Sequence, residues 1–361
     1  MSQPVLIIAE AGVNHNGSMD LAKQLIDVAA AAGADAVKFQ TFRSEAVISR
    51  AAKKAEYQIV NTGMDESQLD MVRKLELGVE DHRLLIGHAG SRNIRFLSTP
   101  FDIESLHVLT DIFNLPLLKI PSGEITNLPL LLEAGRSGRL LIVSTGMATL
   151  AEIEQALMAL AFAMSSEDGA RPTAATMRAA FFSETGQRLL KDRVSLLHCT
   201  TEYPAPVTDV NLKAMSVMGT AFGLPVGYSD HTEGIHISVA AAALGATIIE
   251  KHFTLDRNLP GPDHVASLEP AELALMVHAI RDIERALGNG IKIPAPSELK
   301  NITVARKSLV AANDIPKGVL FDATNLTTKR PGTGVSGMRF EEFLGRPALR
   351  SYLADELIDD C

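Results

Sequence analysis

Cysteine is almost absent: Cys199 and Cys361 are the only two in 361 residues, far apart and without a C-x-x-C spacing. Neither a disulfide framework nor a cysteine zinc site is indicated, and the two read as an apolar strand thiol and a chain-end thiol. No apolar run approaches the roughly 20 residues that span a bilayer. Dense runs of Lys or Arg are missing from a chain whose formal net charge is −9, which argues against a nucleic-acid or anionic-membrane surface. A small anionic substrate would therefore need local positive charge. The opening MSQPVLIIAE has no basic leader region and its apolar run stops at Glu10, so it predicts a first strand and a cytoplasmic protein. The segment GVNHNG matches neither the Rossmann nor the Walker fingerprint. Low-complexity tracts and sequence repeats are missing as well, so nothing points to a solenoid.

What remains is an ordinary globular composition, 46% hydrophobic and 21% charged, able to bury a large core. Strands are expected at Val5–Ala9, Ala36–Phe39, Ile94–Leu97, Leu117–Ile120, Leu140–Val143, Ser195–Cys199, Val226–Tyr228 and Thr247–Glu250. Most are short and apolar without alternation, as strands buried on both faces should be. Helical faces lie between them: Leu21, Leu25, Val28, Ala29 and Ala32 share one, and Leu273, Met276, Val277, Ile280 and Leu287 another. Eight alternating units without a dinucleotide turn predict an α/β fold closed into a (β/α)8 TIM barrel.

Such a barrel takes roughly 250 residues, so a smaller domain should follow. We place the barrel at 1–288, a Gly- and Pro-rich linker at 289–300 and a small β-rich domain at 301–361. Residues 163–192, longer than a usual connection before the sixth strand, read as an insertion on the N-terminal face.

Active sites of barrels lie at the C-terminal ends of the strands, and the residue types here follow that asymmetry. His231 in GYSDHT and His252 in EKHFT come from neighbouring strands, roughly 5 Å apart. Two imidazoles can seed a metal site and leave room for water and substrate oxygen, which suits Mn²⁺, with Mg²⁺ or Co²⁺ as alternatives; two hydrogen-bonded core histidines would show the same spacing. Lys38 and Lys119 point two ammonium groups at the same mouth, an anion clamp, though a Schiff-base role for Lys119 or Lys251 is a rival. Thr99, Ser122, Ser144, Thr200, Thr201 and Ser229 add a ring of hydroxyls suited to phosphate oxygens. Glu10 and Glu124 end strands one and four, where carboxylates could hold sugar hydroxyls or orient a water. Arg330, before a Gly-rich turn, could close over a ligand.

Taken together, AEAGVNHNGS, VKFQTF, AEYQIVNTG, FLSTPFD, KIPSGE, VSTGM, HCTTEYPAP, GYSDHT, EKHFT and LPGPDHVAS resemble the bacterial sialic acid synthase family, in order and spacing, over nearly the whole chain. The resemblance implies a barrel followed by an antifreeze-like SAF domain, and condensation of phosphoenolpyruvate with an N-acetylated hexosamine to a nine-carbon 2-keto acid. It implies that His231 and His252 bind the metal, and that Lys38, Lys119, Thr99, Ser122, Ser144 and Ser229 hold phosphoenolpyruvate. Glu10, Gln40, Tyr203 and Asp263 would contact the sugar, with Phe101 and Thr201 in the substrate set, and Glu124 would orient water at C2. It also implies a homodimer with exchanged SAF domains, placing Arg330 near the partner's sugar. Some relatives carry Asn where Thr201 stands and an aromatic where Arg306 stands. The leading expectation is N-acetylneuraminate synthesis from N-acetylmannosamine; the alternative is N,N'-diacetyllegionaminate synthesis from 2,4-diacetamido-2,4,6-trideoxymannose, with pseudaminic acid synthesis third. A non-catalytic sugar-binding barrel is the remaining possibility.

Overall fold

The structure, a computed structural model, describes residues 4–54, 59, 67–167 and 169–360. Part of the AEYQIVNTG motif lies outside them. The chain divides into two compact units, Met1–Gly288 and Asn289–Cys361.

In the first unit eight parallel strands form one sheet: β1 Leu6–Gly12, β2 Ala36–Thr41, β3 Arg95–Pro100, β4 Leu117–Ile120, β5 Leu140–Ser144, β6 Val194–Cys199, β7 Val226–Asp230 and β8 Ile248–His252. Their order is β3-β2-β1-β8-β7-β6-β5-β4, and its two ends, β3 and β4, lie against each other, closing the barrel. Several strands run further than their apolar stretches suggest. Glu10 pairs in register with both Lys38 and His252, so the ladder carries the backbone on while the side chains turn polar.

Inward-facing positions repeat every second residue. Ile8, Ala36, Leu97, Leu117, Ile142, Leu197 and Ile248 form an apolar cluster of their own, which fills the barrel beneath the mouth. Two residues further along these strands stand Glu10, Lys38, Thr99, Lys119, Ser144, Cys199 and Glu250, all lining one cavity. A floor of hydrocarbon thus supports a layer of charge.

The helices sit where expected, with shifted faces. Helix Met19–Ala31 starts from Ser18, whose hydroxyl accepts from Leu21 N–H at 3.4 Å, and fully buries Ala22, Leu25, Ile26 and Ala29, leaving Val28 at the margin. In helix Pro270–Leu287 the stripe Leu273, Met276, Val277 and Ile280 is buried, but Leu287 is exposed at the helix end.

The expected insertion folds as two helices, Ala174–Phe182 and Glu184–Arg193. Met177 and Ala180 pack against Leu132, Phe162 and Ala163, so the segment is held against the helical layer. In the second unit, helix Pro296–Ala305 occupies part of the span read as linker. Its N-terminal Pro and the bond from Ala295 N–H to Glu298 start a helix despite the Pro-rich composition. Antiparallel β9 Ser308–Ala311 and β10 Leu326–Lys329 pack over Phe321, Phe343 and Tyr352.

Candidate active site

Four buried charges occupy the cavity floor. Lys38 Nζ lies 2.7 Å from Glu10 Oε2 and 3.6 Å from Glu250 Oε2, and Lys119 Nζ lies 2.7 Å from Glu250 Oε1. Thr99 accepts from Lys38 at 2.9 Å, and Ser229 donates to Glu250 Oε1 at 2.9 Å. Burial pushes the Glu10 carboxyl up, with Lys38 only partly offsetting it. For Glu250 burial acts the same way, but Lys119 and Lys38 outweigh it and hold its carboxyl well below the usual range. Burial works against the charge on Lys38, and Glu10 and Glu250 outweigh it, raising that group. Lys38 therefore stays cationic although it is buried. Glu250, the carboxylate that among the described residues touches both lysines, was not anticipated; its signal was a Glu two residues after Ile248 in an apolar strand, the inward register.

At the rim, His231 and His252 have ring centroids 5.7 Å apart, with Tyr203 4.2 Å from His231. His231 Nδ1 is 2.6 Å from the Thr200 carbonyl. A carbonyl only accepts, so Nδ1 carries the proton and Nε2 keeps its lone pair. Burial lowers His231 to about 4, and burial, reinforced by His231, holds His252 well below the usual imidazole value. His252 Nδ1 is buried without a hydrogen-bond partner, 4.0 Å from Asp263 Oδ2, and burial raises Asp263 to about 6. Two neutral imidazoles, one with an unpartnered nitrogen, fit a divalent ion that takes its remaining ligands from water or substrate. Among the described residues no three His, Cys, Asp or Glu side chains cluster as a fuller metal cage.

Beside the lysines, Gly146 N–H donates to Ser122 Oγ at 3.0 Å. A Cβ on Gly146 would run into Thr201 Oγ1 and lie 2.8 Å from Ser122 Oγ and 3.0 Å from Cys199 Sγ, so only glycine lets these groups converge. Thr201 Oγ1 is buried without a partner.

The cavity, of about 340 Å³, is lined by Glu10, Lys38, Gln40, Thr99, Phe101, Lys119, Ser122, Ser144, Thr201, Tyr203, Ser229, His231, His252 and Asp263, all anticipated. Two expected groups of the barrel unit, Glu124 and Thr200, are not among the residues lining the cavity. Glu124 belongs to the rim turn Ser122–Glu124, but it accepts from Asn127 Nδ2 at 2.6 Å, drawn to the side chain that caps the next helix. The Thr200 hydroxyl bonds to Asp209 O at 3.3 Å, because its carbonyl is the part aimed at His231. Arg330 lies in the second unit, its Nε bonded to Ala305 O at 3.0 Å. Lys251, one of the two candidate Schiff-base lysines, is not among the residues lining the cavity: its Nζ pairs with Asp230 Oδ2 at 3.1 Å and bonds to Thr232 O.

Fold and site together define a TIM-barrel protein with buried Lys–Glu pairs and two histidines at its mouth, followed in the chain by a second compact unit. The NeuB family model matches residues 25–292 and the SAF domain model residues 306–360; the chain belongs to the NeuB family. It is 56% identical over 98% of both chains to the N,N'-diacetyllegionaminic acid synthase of Campylobacter jejuni subsp. jejuni serotype O:2. The Legionella pneumophila enzyme of the same name is 43% identical, over 95% of this chain and 90% of that one. A crystal structure of N-acetylneuraminic acid (sialic acid) synthetase from Leptospira borgpetersenii serovar Hardjo-bovis, in complex with citrate, superposes with a TM-score of 0.66 at 36% identity, covering 83% of this chain and 90% of that one.

Proposed function

We propose that this chain condenses phosphoenolpyruvate with 2,4-diacetamido-2,4,6-trideoxymannose to give N,N'-diacetyllegionaminate and phosphate. The observation that carries a phosphoenolpyruvate reaction is the pair of buried ammonium groups, Lys38 and Lys119, facing one cavity beneath two neutral histidines. The choice of sugar is supported by 56% identity to an enzyme named for the legionaminate product, which favours this reading over N-acetylmannosamine.

Lys38 and Lys119 neutralise the carboxylate and phosphate, while Ser122, Ser144 and Thr201 donate to phosphate oxygens. C3 of the enol bonds to the aldehyde carbon C1, and the aldehyde oxygen takes up a proton. Water adds at C2, loses a proton, and the C2–O bond to phosphate breaks. A divalent ion such as Mn²⁺ on His231 and His252 would supply Lewis acidity at the aldehyde oxygen. Glu10 already faces the cavity with a raised carboxyl suited to holding a proton; Glu124 reaches the water only by turning from Asn127. The homodimer with exchanged SAF domains belongs to the same reading.

Phosphate release from phosphoenolpyruvate, with Mn²⁺ and again after chelation, tests it. The diacetamido sugar should outpace N-acetylmannosamine; the reverse preference overturns the choice of sugar, and release from neither overturns the reaction.

A further inference from the structure

The cavity has two chemically different sides. Its charged and hydroxylic groups stand on the strand ends, whereas the chain beyond β1, β2 and β3 supplies Val13, Phe42, Met71, Val72, Leu75 and Phe101. Five of these form a cluster separate from the barrel core, and Phe42 meets Phe101 edge-on with centroids 6.2 Å apart. Met71, on the short helix Gln68–Arg73, is buried and completes the wall. Among the described lining residues, the polar groups on this side are the amides of Gln40 and Gln68, which suit an acetamido-bearing sugar. No step of the condensation needs hydrocarbon here.

The orientation of the acceptor follows from its chemistry and rests on the function proposed above. C1 must sit at the lysines and histidines, because it is the carbon attacked. The 2-acetamido group then lies near the reacting end, and C6 is the carbon of an open-chain hexose farthest from it. We infer that the Phe42–Met71–Leu75 wall is a specificity subsite for a 6-deoxy terminus, holding a C6 methyl and disfavouring a hydroxymethyl. A methyl gains by leaving water, whereas a hydroxyl gives up its water partners and meets carbon.

Four acceptors separate this inference from the proposed function: N-acetylmannosamine and its 6-deoxy form, and 2,4-diacetamido-2,4,6-trideoxymannose and its 6-hydroxy form. The wall predicts a kcat/KM preference for the 6-deoxy member of each pair, on the order of 10- to 100-fold. Met71→Gln, close in volume, should shrink that preference several-fold and leave the KM for phosphoenolpyruvate unchanged. Equal use of both members in the wild-type enzyme overturns the subsite, whatever the variant does, as does an unchanged preference in folded Met71→Gln. A 6-deoxy preference combined with better use of the mono-acetamido pair supports the wall and overturns the legionaminate reading. Phosphate release from none of the four overturns both.

Discussion

Lys119 and Glu250 are joined across the barrel, Nζ to Oε1 at 2.7 Å, while the other oxygen of Glu250 lies 3.6 Å from Lys38 Nζ. One carboxylate thus bridges the two lysines that line the cavity. Glu250→Gln keeps the shape and removes the charge. Loss of a charge-assisted contact costs roughly 1.5–3 kcal/mol, so kcat/KM for phosphoenolpyruvate should fall about 10- to 100-fold. Steady-state kinetics with each substrate varied checks this; a loss confined to the sugar would contradict it.

Much of this site was legible in the sequence because polar residue types mark the ends of apolar strands. What the apolar runs concealed was the register. Strand eight ends at Glu250 if only its hydrocarbon is counted, yet the ladder continues to His252, and Glu250 points inward because Ile248 does. The wall of Phe42, Met71 and Leu75 carried no sequence signal, since apolar residues after a strand look like ordinary packing. Glu124 was placed at the right turn, but Asn127, three residues on, competes for its carboxylate. Such local pairing is decided by rotamers and not by strand position.

His231 and His252 should bind a divalent ion. His252→Ala should abolish chelator-sensitive turnover and, read independently, weaken Mn²⁺ binding in an electron paramagnetic resonance titration at least tenfold. Unchanged binding would remove these residues from any metal role.

Lys251 is a structural lysine in this account. Borohydride with pyruvate should trap no adduct, and Lys251→Met should leave the buried Asp230 without its cation and with only the bonds from Thr232 and Ser238, costing about 3–5 kcal/mol of stability. Urea denaturation measures that cost. A trapped adduct, or full stability in the variant, would point to a Schiff base instead.

Acid should destabilise the fold through histidines buried neutral. Burial, aided by the charge on His82, lowers His15 to about 4, and its Nδ1 accepts from Gly17 N–H at 3.0 Å. An unfolded chain protonates this group near pH 6.5, so stability is unaffected above that value and falls as pH drops from there towards 4. The slope is about 1.4 kcal/mol per pH unit for one such histidine. His15→Gln should flatten the decline between pH 6.5 and 4.5 in urea titrations; an equal slope would show that other groups set it.

In the proposed reaction phosphate leaves by C–O cleavage after a carbon–carbon bond forms to a diacetamido sugar. Phosphoenolpyruvate labelled with ¹⁸O in the bridging position, incubated with Mn²⁺ and 2,4-diacetamido-2,4,6-trideoxymannose, reports both events by ³¹P resonance and mass spectrometry. Labelled phosphate is expected together with a nine-carbon 2-keto acid. Unlabelled phosphate, or labelled phosphate without the keto acid, would contradict it.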